Sequence, residues 1–220
     1  MIGRTGSGKT TIVDLLLRTY NLPDGALFVD GRDVNSIPIR TLRRYAAYVP
    51  QDNFLFSDTI ANNIAFASDA IDRSLVVSAA RAAAVDGNIA EFPDGYDTVL
   101  GERGVTVSGG QKQRISIARA LMKDASILVL DDSVSAVDTA TERAILSALR
   151  ERRKGKTTIL IAHRVSTVMQ MDRVLLIDDG RVVAFGSHEE LLATSPEYRK
   201  MVELQRLEDA EREKGGRADA

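Results

Sequence analysis

The chain has 220 residues, 44% of them hydrophobic and 27% charged, with 29 Lys and Arg set against 31 Asp and Glu. That length is enough to bury a sizeable core, and the balanced charge gives no basic excess that would suggest nucleic acid as a partner. Cysteine is absent, which excludes disulfides, thiol catalysis and Cys-based zinc sites, and no apolar run approaches the roughly 18 residues of a membrane span.

The run Gly3-Arg4-Thr5-Gly6-Ser7-Gly8-Lys9-Thr10 comes first and satisfies the pattern G-x-x-x-x-G-K-S/T in full. Its glycines Gly3, Gly6 and Gly8 let backbone N–H groups turn inward on a β-phosphate, at the positive end of a helix predicted over Thr10–Arg18. Lys9 then reaches the β- and γ-phosphates and the Thr10 hydroxyl ligates Mg²⁺. Thr5, Ser7 and Thr11 complete the cradle, and the expected ligand is Mg–ATP. A loop of this kind normally follows a central β-strand, yet only Met1 and Ile2 precede Gly3. The strand that leads into the loop is therefore expected to lie upstream of this sequence.

Further along, short strands are predicted over Ala26–Asp30 and Ala46–Val49, with turns at Asp24-Gly25 and Asp30-Gly31. Residues 58–92 are Ala-rich and read as helical, broken near Ser68–Asp72 and Asp86–Gly87. Gly109-Gly110 opens a helix running to about Met122. Ile127–Leu130 and Thr157–Ala162 are continuous apolar strands, the pattern of a buried parallel sheet. Between them lies a helix over Thr139–Arg150, where Thr139 and Glu142 have capping-box spacing. Val174–Ile177 and Arg181–Ala184 flank Asp178-Asp179-Gly180 as a hairpin. Ser187 and Glu190 form a second capping box, opening a helix over Glu189–Ala193, and from Leu207 the composition is that of a polar, disordered tail. Strands alternating with helices predict an α/β fold with a mainly parallel sheet.

Ile127-Leu128-Val129-Leu130-Asp131-Asp132 is a buried strand ending in acid, the Walker B pattern, which places Asp131 to hold the water shell of Mg²⁺. Val107-Ser108-Gly109-Gly110-Gln111 opens a helix whose exposed N–H groups suit a phosphate, with Ser108 as a further donor. Alone, Ser-Gly-Gly is only a helix-starting turn. Followed by Lys112 to Leu121 and then by Walker B, the order resembles the signature of ABC ATPases, and the resemblance extends from Gly3 to about Leu204.

That resemblance implies a P-loop NTPase with an ABC-type helical subdomain at about 52–122, inside an ATPase domain at 1–206. Gln51 resembles the Q-loop glutamine that meets Mg²⁺ and the attacking water, and Ser135–Asp138 the D-loop that touches an opposite subunit. His163 resembles the switch histidine on the γ-phosphate, although alone it would read as a core histidine, and His188 is structural. Ser108, Gly109, Gly110 and Gln111 would bind ATP held by a partner. Phe54–Ile64 resembles the exporter segment that contacts coupling helices of a membrane domain. Thr98–Gly104 resembles the exporter X-loop, with Leu100 departing from it. The implied partners are a membrane-spanning domain in the same polypeptide and a second ABC ATPase domain, at the cytoplasmic face of the membrane.

One departure bears on mechanism. The family's catalytic base is a Glu directly after the Walker B Asp, and this chain has Asp132 there. The shorter side chain withdraws the carboxylate by roughly 1 Å, a misplacement that can cost about 10²-fold in rate. Val107 replaces the usual signature Leu. Asp132 resembles the weakened site that one subunit of a heterodimeric exporter carries, while the signature is otherwise complete and would serve a competent site on the partner. Two other readings compete: a non-hydrolysing ATP clamp, and a soluble ABC ATPase acting on DNA or ribosomes.

Overall fold

The computed structural model describes residues 1–68, 70–101 and 107–218. In chain order its elements begin with α1 (Lys9–Leu16), β1 (Phe28–Val29), β2 (Arg32–Asp33), α2 (Ile39–Arg44) and β3 (Ala46–Val49). Then come α3 (Ile60–Ile64), α4 (Arg73–Ala82), α5 (Asp86–Ala90), α6 (Gly109–Met122), β4 (Ile127–Asp131) and α7 (Thr139–Arg152). The last are β5 (Thr157–Ile161), α8 (Val165–Val168), β6 (Val174–Asp178), β7 (Arg181–Gly186), α9 (His188–Thr194) and α10 (Pro196–Ala218). They form two compact units, one of Met1–Ile12 with Ile161–Ala220 and the other of Val13–Leu160.

In the Val13–Leu160 unit, β3 and β4 pair in parallel, from Ala46 opposite Ile127 to Val49 opposite Leu130. β4 is the middle strand, with β5 as its other neighbour. Leu128, Val129 and Leu130 have no exposed surface, so the apolar run is unbroken because both faces are covered. α6 packs against α3, α4 and β3, and its Ile115, Ile117 and Ala118 are all buried.

Several boundaries differ from the sequence expectation. The strand expected over Ala26–Asp30 is reduced to β1, which pairs with β2 across Asp30 (φ 49°) and Gly31 (φ 74°). Both turn residues take the left-handed conformation that a tight right-twisted hairpin needs. The break expected at Asp86-Gly87 falls instead at Ala84 (φ 53°), where the Val85 N–H donates to the Ala80 carbonyl at 3.0 Å. That bond closes α4 as a Schellman turn, leaving Asp86 and Gly87 inside α5. Thr139 and Glu142 do not form a capping box. Asp138 is the N-cap of α7 and its carboxylate accepts from the Thr141 N–H at 2.9 Å and the Thr141 hydroxyl at 2.6 Å. A carboxylate one residue upstream satisfies the helix start and leaves Thr139 within the first turn.

Asn63 is the polar knot of this unit, with only 1% of its surface exposed. Its Oδ1 accepts from the Phe56 N–H at 2.9 Å and from Arg119 at 2.8 Å. Its Nδ2 donates to the carbonyls of Phe56 and Thr59, both at 3.0 Å. Arg119 donates further to the carbonyls of Asn63 and Phe54 at 2.8 Å. Its guanidinium lies 5.4 Å from the ring centre of Phe56 and 5.7 Å from that of Phe66, and burial draws its pKa down to about 10. Asn63→Ala strands several of these groups, so a destabilisation of about 3 kcal/mol is expected. Calorimetric unfolding of both forms checks this, and an unchanged Tm would refute it.

In the other unit, β6 and β7 form an antiparallel hairpin with an irregularity at Leu176/Ile177. Asp179 (φ 46°) and Gly180 (φ 70°) make its turn, as the Asp-Gly sequence predicts. Ser187 and Glu190 form the expected capping box on α9. The charged stretch from Leu207, read as a polar tail, continues α10 to Ala218. Its Glu, Lys, Arg and Ala residues favour helix and only the late glycines oppose it.

Candidate nucleotide-binding site

Ile2 sits beside β6 in parallel pairing, accepting from the Ile177 N–H at 3.0 Å and donating to the Leu175 carbonyl at 2.9 Å. It is 1% exposed. This short extended piece aims the chain into the glycine loop. A Cβ on Gly3 would lie 2.0 Å from the Ile177 carbonyl oxygen, so the entry to the loop admits only glycine. Gly8 has φ 98°, a conformation that L side chains rarely adopt. The loop closes through the Ser7 N–H to the Arg4 carbonyl at 3.1 Å, and the Gly180 N–H of the β6–β7 turn donates to the Ser7 carbonyl at 3.1 Å.

Lys9 is 6% exposed, and its ammonium lies inside the loop. It donates to the carbonyls of Gly3 at 2.9 Å and Arg4 at 2.7 Å, and to the Ser7 hydroxyl at 3.4 Å. α1 begins at Lys9, so the N–H groups of its first turn have no acceptor within the helix and carry its positive dipole end. A concave loop with a buried ammonium and a helix N-terminus fits a phosphate chain.

In the same unit, His163 follows β5 on the surface, not in a core. Its carbonyl accepts from Gln205 of α10, whose side-chain oxygen also accepts from the Val165 N–H at 2.6 Å. Gln205 thus clasps the backbone on both sides of Arg164. His188 is packed edge-on against the buried Tyr198, with its Nδ1 2.8 Å from the tyrosine hydroxyl.

In the Val13–Leu160 unit, Asp131 is 3% exposed at the carboxyl end of β4. The Tyr48 hydroxyl donates to its Oδ2 at 3.3 Å. Burial, reinforced by the Asp131 charge, pushes the Tyr48 pKa up to about 12, so the phenol keeps its proton at neutral pH. The next residue, Asp132, is half-buried with φ 48°, a conformation that Asp tolerates better than longer residues. Ser133 anchors the turn, its buried hydroxyl donating to the Val49 and Asp131 carbonyls at 3.0 and 3.1 Å. Gln51 is exposed just beyond β3.

Ser108 is the N-cap of α6, its Oγ accepting from the Gln111 N–H at 3.2 Å, while the Gln111 side chain accepts from the Ser108 N–H at 2.9 Å. The Ser108 O–H and the Gln111 amide NH₂ remain chemically able to donate. Ser108 and Gly109 are exposed. Thr98 to Leu100, the start of the stretch that resembles an X-loop, lies against the Phe54–Ile64 segment, with Ile60 N–H donating to the Thr98 carbonyl and Leu100 N–H to that of Asp58, both at 3.0 Å. Glu102, Arg103 and Gly104 lie outside the described residues.

Among the described residues, no group of three or more His, Asp and Glu side chains is gathered for a metal. Mg²⁺ bound with a nucleotide takes one or two protein oxygens beside phosphate and water. Thr10 hydroxyl and Asp131 carboxylate are each hard oxygen donors of that type.

A family model described as ABC transporter matches residues 1–135, more than half of the chain. The chain belongs to the ABC transporter family. The ATP-dependent lipid A-core flippase of Syntrophus aciditrophicus (strain SB) is 45% identical over 219 residues, covering 100% of this chain and 36% of that protein. The flippase of the same description from Vibrio cholerae serotype O1 is 46% identical over 206 residues, 93% of this chain and 35% of that protein. A solved bacterial Atm1-family ABC exporter with ATP bound matches with a TM-score of 0.89 at 45% identity, covering 93% of this chain and 36% of that one. The chain therefore spans about a third of the length of these relatives, and within that length it is the family's ATP-binding domain, with its α/β P-loop NTPase fold. No described helix is long and apolar enough to cross a membrane.

Proposed function

We propose that this chain binds and hydrolyses Mg–ATP to drive export by a longer protein whose membrane-spanning domain shares its polypeptide. The observation that carries this is the buried ammonium of Lys9, held by loop carbonyls that phosphate oxygens outcompete as acceptors. Gly3 to Thr11 hold the phosphates, Thr10 ligates Mg²⁺, Asp131 supports the metal, and Gln51 and His163 address the attacking water and the γ-phosphate. Ser108 to Gln111 grip ATP held by a second ATPase domain, at the cytoplasmic face of the membrane. The flippase relatives favour lipid A-core as the transported molecule.

Asp132 in place of Glu favours an asymmetric pair, in which this chain's own ATP turns over slowly and a partner with Glu supplies the fast site. It also favours a second reading, in which ATP serves here as a clamp that is not hydrolysed. The full-length protein in proteoliposomes separates them. Mg–ATP should drive labelled lipid A-core across the bilayer with phosphate release, whereas tight ATP binding without release from either site would select the clamp. ATP turnover without movement of lipid A-core would overturn the substrate assignment alone.

A further inference from the structure

Gln113 lies on α6, five residues beyond Ser108, and is 4% exposed. Both ends of its side-chain amide are engaged with the loop after β4. Its Nε2 donates to the Asp132 carbonyl at 3.0 Å and its Oε1 accepts from the Ala136 N–H at 3.3 Å. These backbone groups bracket the turn that carries the candidate base and leads into the D-loop. Ser133 and Ser135 also bond within this turn, the Ser135 hydroxyl donating to the Asp132 carbonyl at 2.9 Å, but neither is on α6.

A second contact joins the same elements. A Cβ placed on Gly110 would lie 3.2 Å from the Ala136 carbonyl and 3.9 Å from Val137, so the start of the signature helix rests directly on the D-loop. Asp132 sits at φ 48°, a conformation that persists only where its surroundings hold it. Gln113 supplies such a hold, from the helix whose exposed end would grip ATP on the partner.

The geometry points to Gln113 as a positioning residue that ties the signature helix to the Asp132–Ala136 turn of the same chain, so that α6 and the catalytic carboxylate move as one. This rests on the proposed ATPase reading. Nucleotide gripped by α6 for one site would thereby set the position of the carboxylate serving the other, a link between the two sites that runs inside a single subunit. An amide suits the task because it donates to a carbonyl and accepts from an N–H at once.

The test uses the full-length protein and three variants: Gln113→Leu, which keeps approximate size and removes both bonds; Gln113→Glu, which keeps the acceptor and sets an oxygen against the Asp132 carbonyl; and Lys9→Ala. Expected for Gln113→Leu is a kcat at this chain's own site, read with the partner's base replaced by Gln, lower by about 10-fold or more with KM for ATP within about twofold, the signature of an interaction made in the transition state. Amide exchange should accelerate over 132–137 and stay unchanged over Gly3–Thr10. Gln113→Glu should show the same split, and it decides the matter if the leucine variant fails to fold. A folded variant whose kcat at this chain's own site stays within about twofold of the parent overturns the proposal, as does exchange that accelerates throughout the chain, which marks a general packing role. If Lys9→Ala binds ATP like the parent, the nucleotide-site reading itself has failed; if only the Gln113 variants behave like the parent, that reading stands and this inference falls.

Discussion

Lys9→Ala is expected to raise the Kd for Mg–ATP of the full-length protein by at least about 100-fold. The ammonium makes charge-assisted bonds, each worth about 1.5–3 kcal/mol in net terms when its partner is an anion. Loss of about 3 kcal/mol corresponds to about 100-fold in affinity. The geometry explains why no neighbour can replace it. Lys9 is buried within the loop and points at the Gly3 and Arg4 carbonyls, whereas Arg4 is exposed. Those carbonyls hold the ammonium in place before nucleotide arrives, so its side-chain entropy is already spent and binding exchanges carbonyl acceptors for stronger phosphate ones. Lys9→Met is the companion variant, since it keeps most of the apolar stem and separates charge from packing. Nucleotide titration by calorimetry measures all three forms. Equal affinities for the parent and both variants would remove the phosphate role of Gly3–Thr10.

The parts legible from sequence were those whose chemistry is local. The glycine loop, the Walker B strand, the Ser187–Glu190 cap and the Asp179-Gly180 turn each depend on residues within a few positions of one another, and each stands where it was read. The helix start at Gly109 is legible for the same reason, and Ser108 and Gln111 bond each other there as a capping box. What escaped were partners far apart in the chain. Tyr48 reaches Asp131, Gln113 reaches Asp132, Arg119 reaches Asn63 and Gln205 reaches His163. Such pairs carry no periodicity, because they depend on strand register and helix packing rather than on spacing. Arg119 and Gln113 face the structure from within a run that reads as an ordinary amphipathic helix, and a polar residue there is as compatible with solvent as with a buried knot. His163 shows the converse: its residue type alone suggests a core, and the structure has it exposed.

Asp132→Glu is expected to leave ATP hydrolysis by the full-length assembly equal or higher, whereas Ser108→Tyr should nearly abolish it. The two follow from one asymmetry. Asp132 is too short to place its carboxylate where a glutamate would, so removing reach costs rate at this chain's own ATP and restoring reach recovers it. The left-handed backbone at Asp132, φ 48°, sets the counterweight. Glu enters the left-handed region less readily than Asp does, at a cost of about 1 kcal/mol in stability. The gain in rate should therefore come with a slightly lower Tm. Ser108 acts elsewhere. It stands exposed at the head of α6, where a bulky ring obstructs the approach to ATP held by the partner and disables the fast site from across the dimer. Because Ser108 also caps α6, its loss costs about 1 kcal/mol of helix stability, and Ser108→Thr, which keeps the cap oxygen, separates the two effects. Steady-state phosphate release from assemblies purified with their natural partner measures each variant. A homodimer that hydrolyses ATP briskly and loses that activity on Asp132→Asn would show the shorter carboxylate to be a competent base, and the asymmetric pair would have to be abandoned.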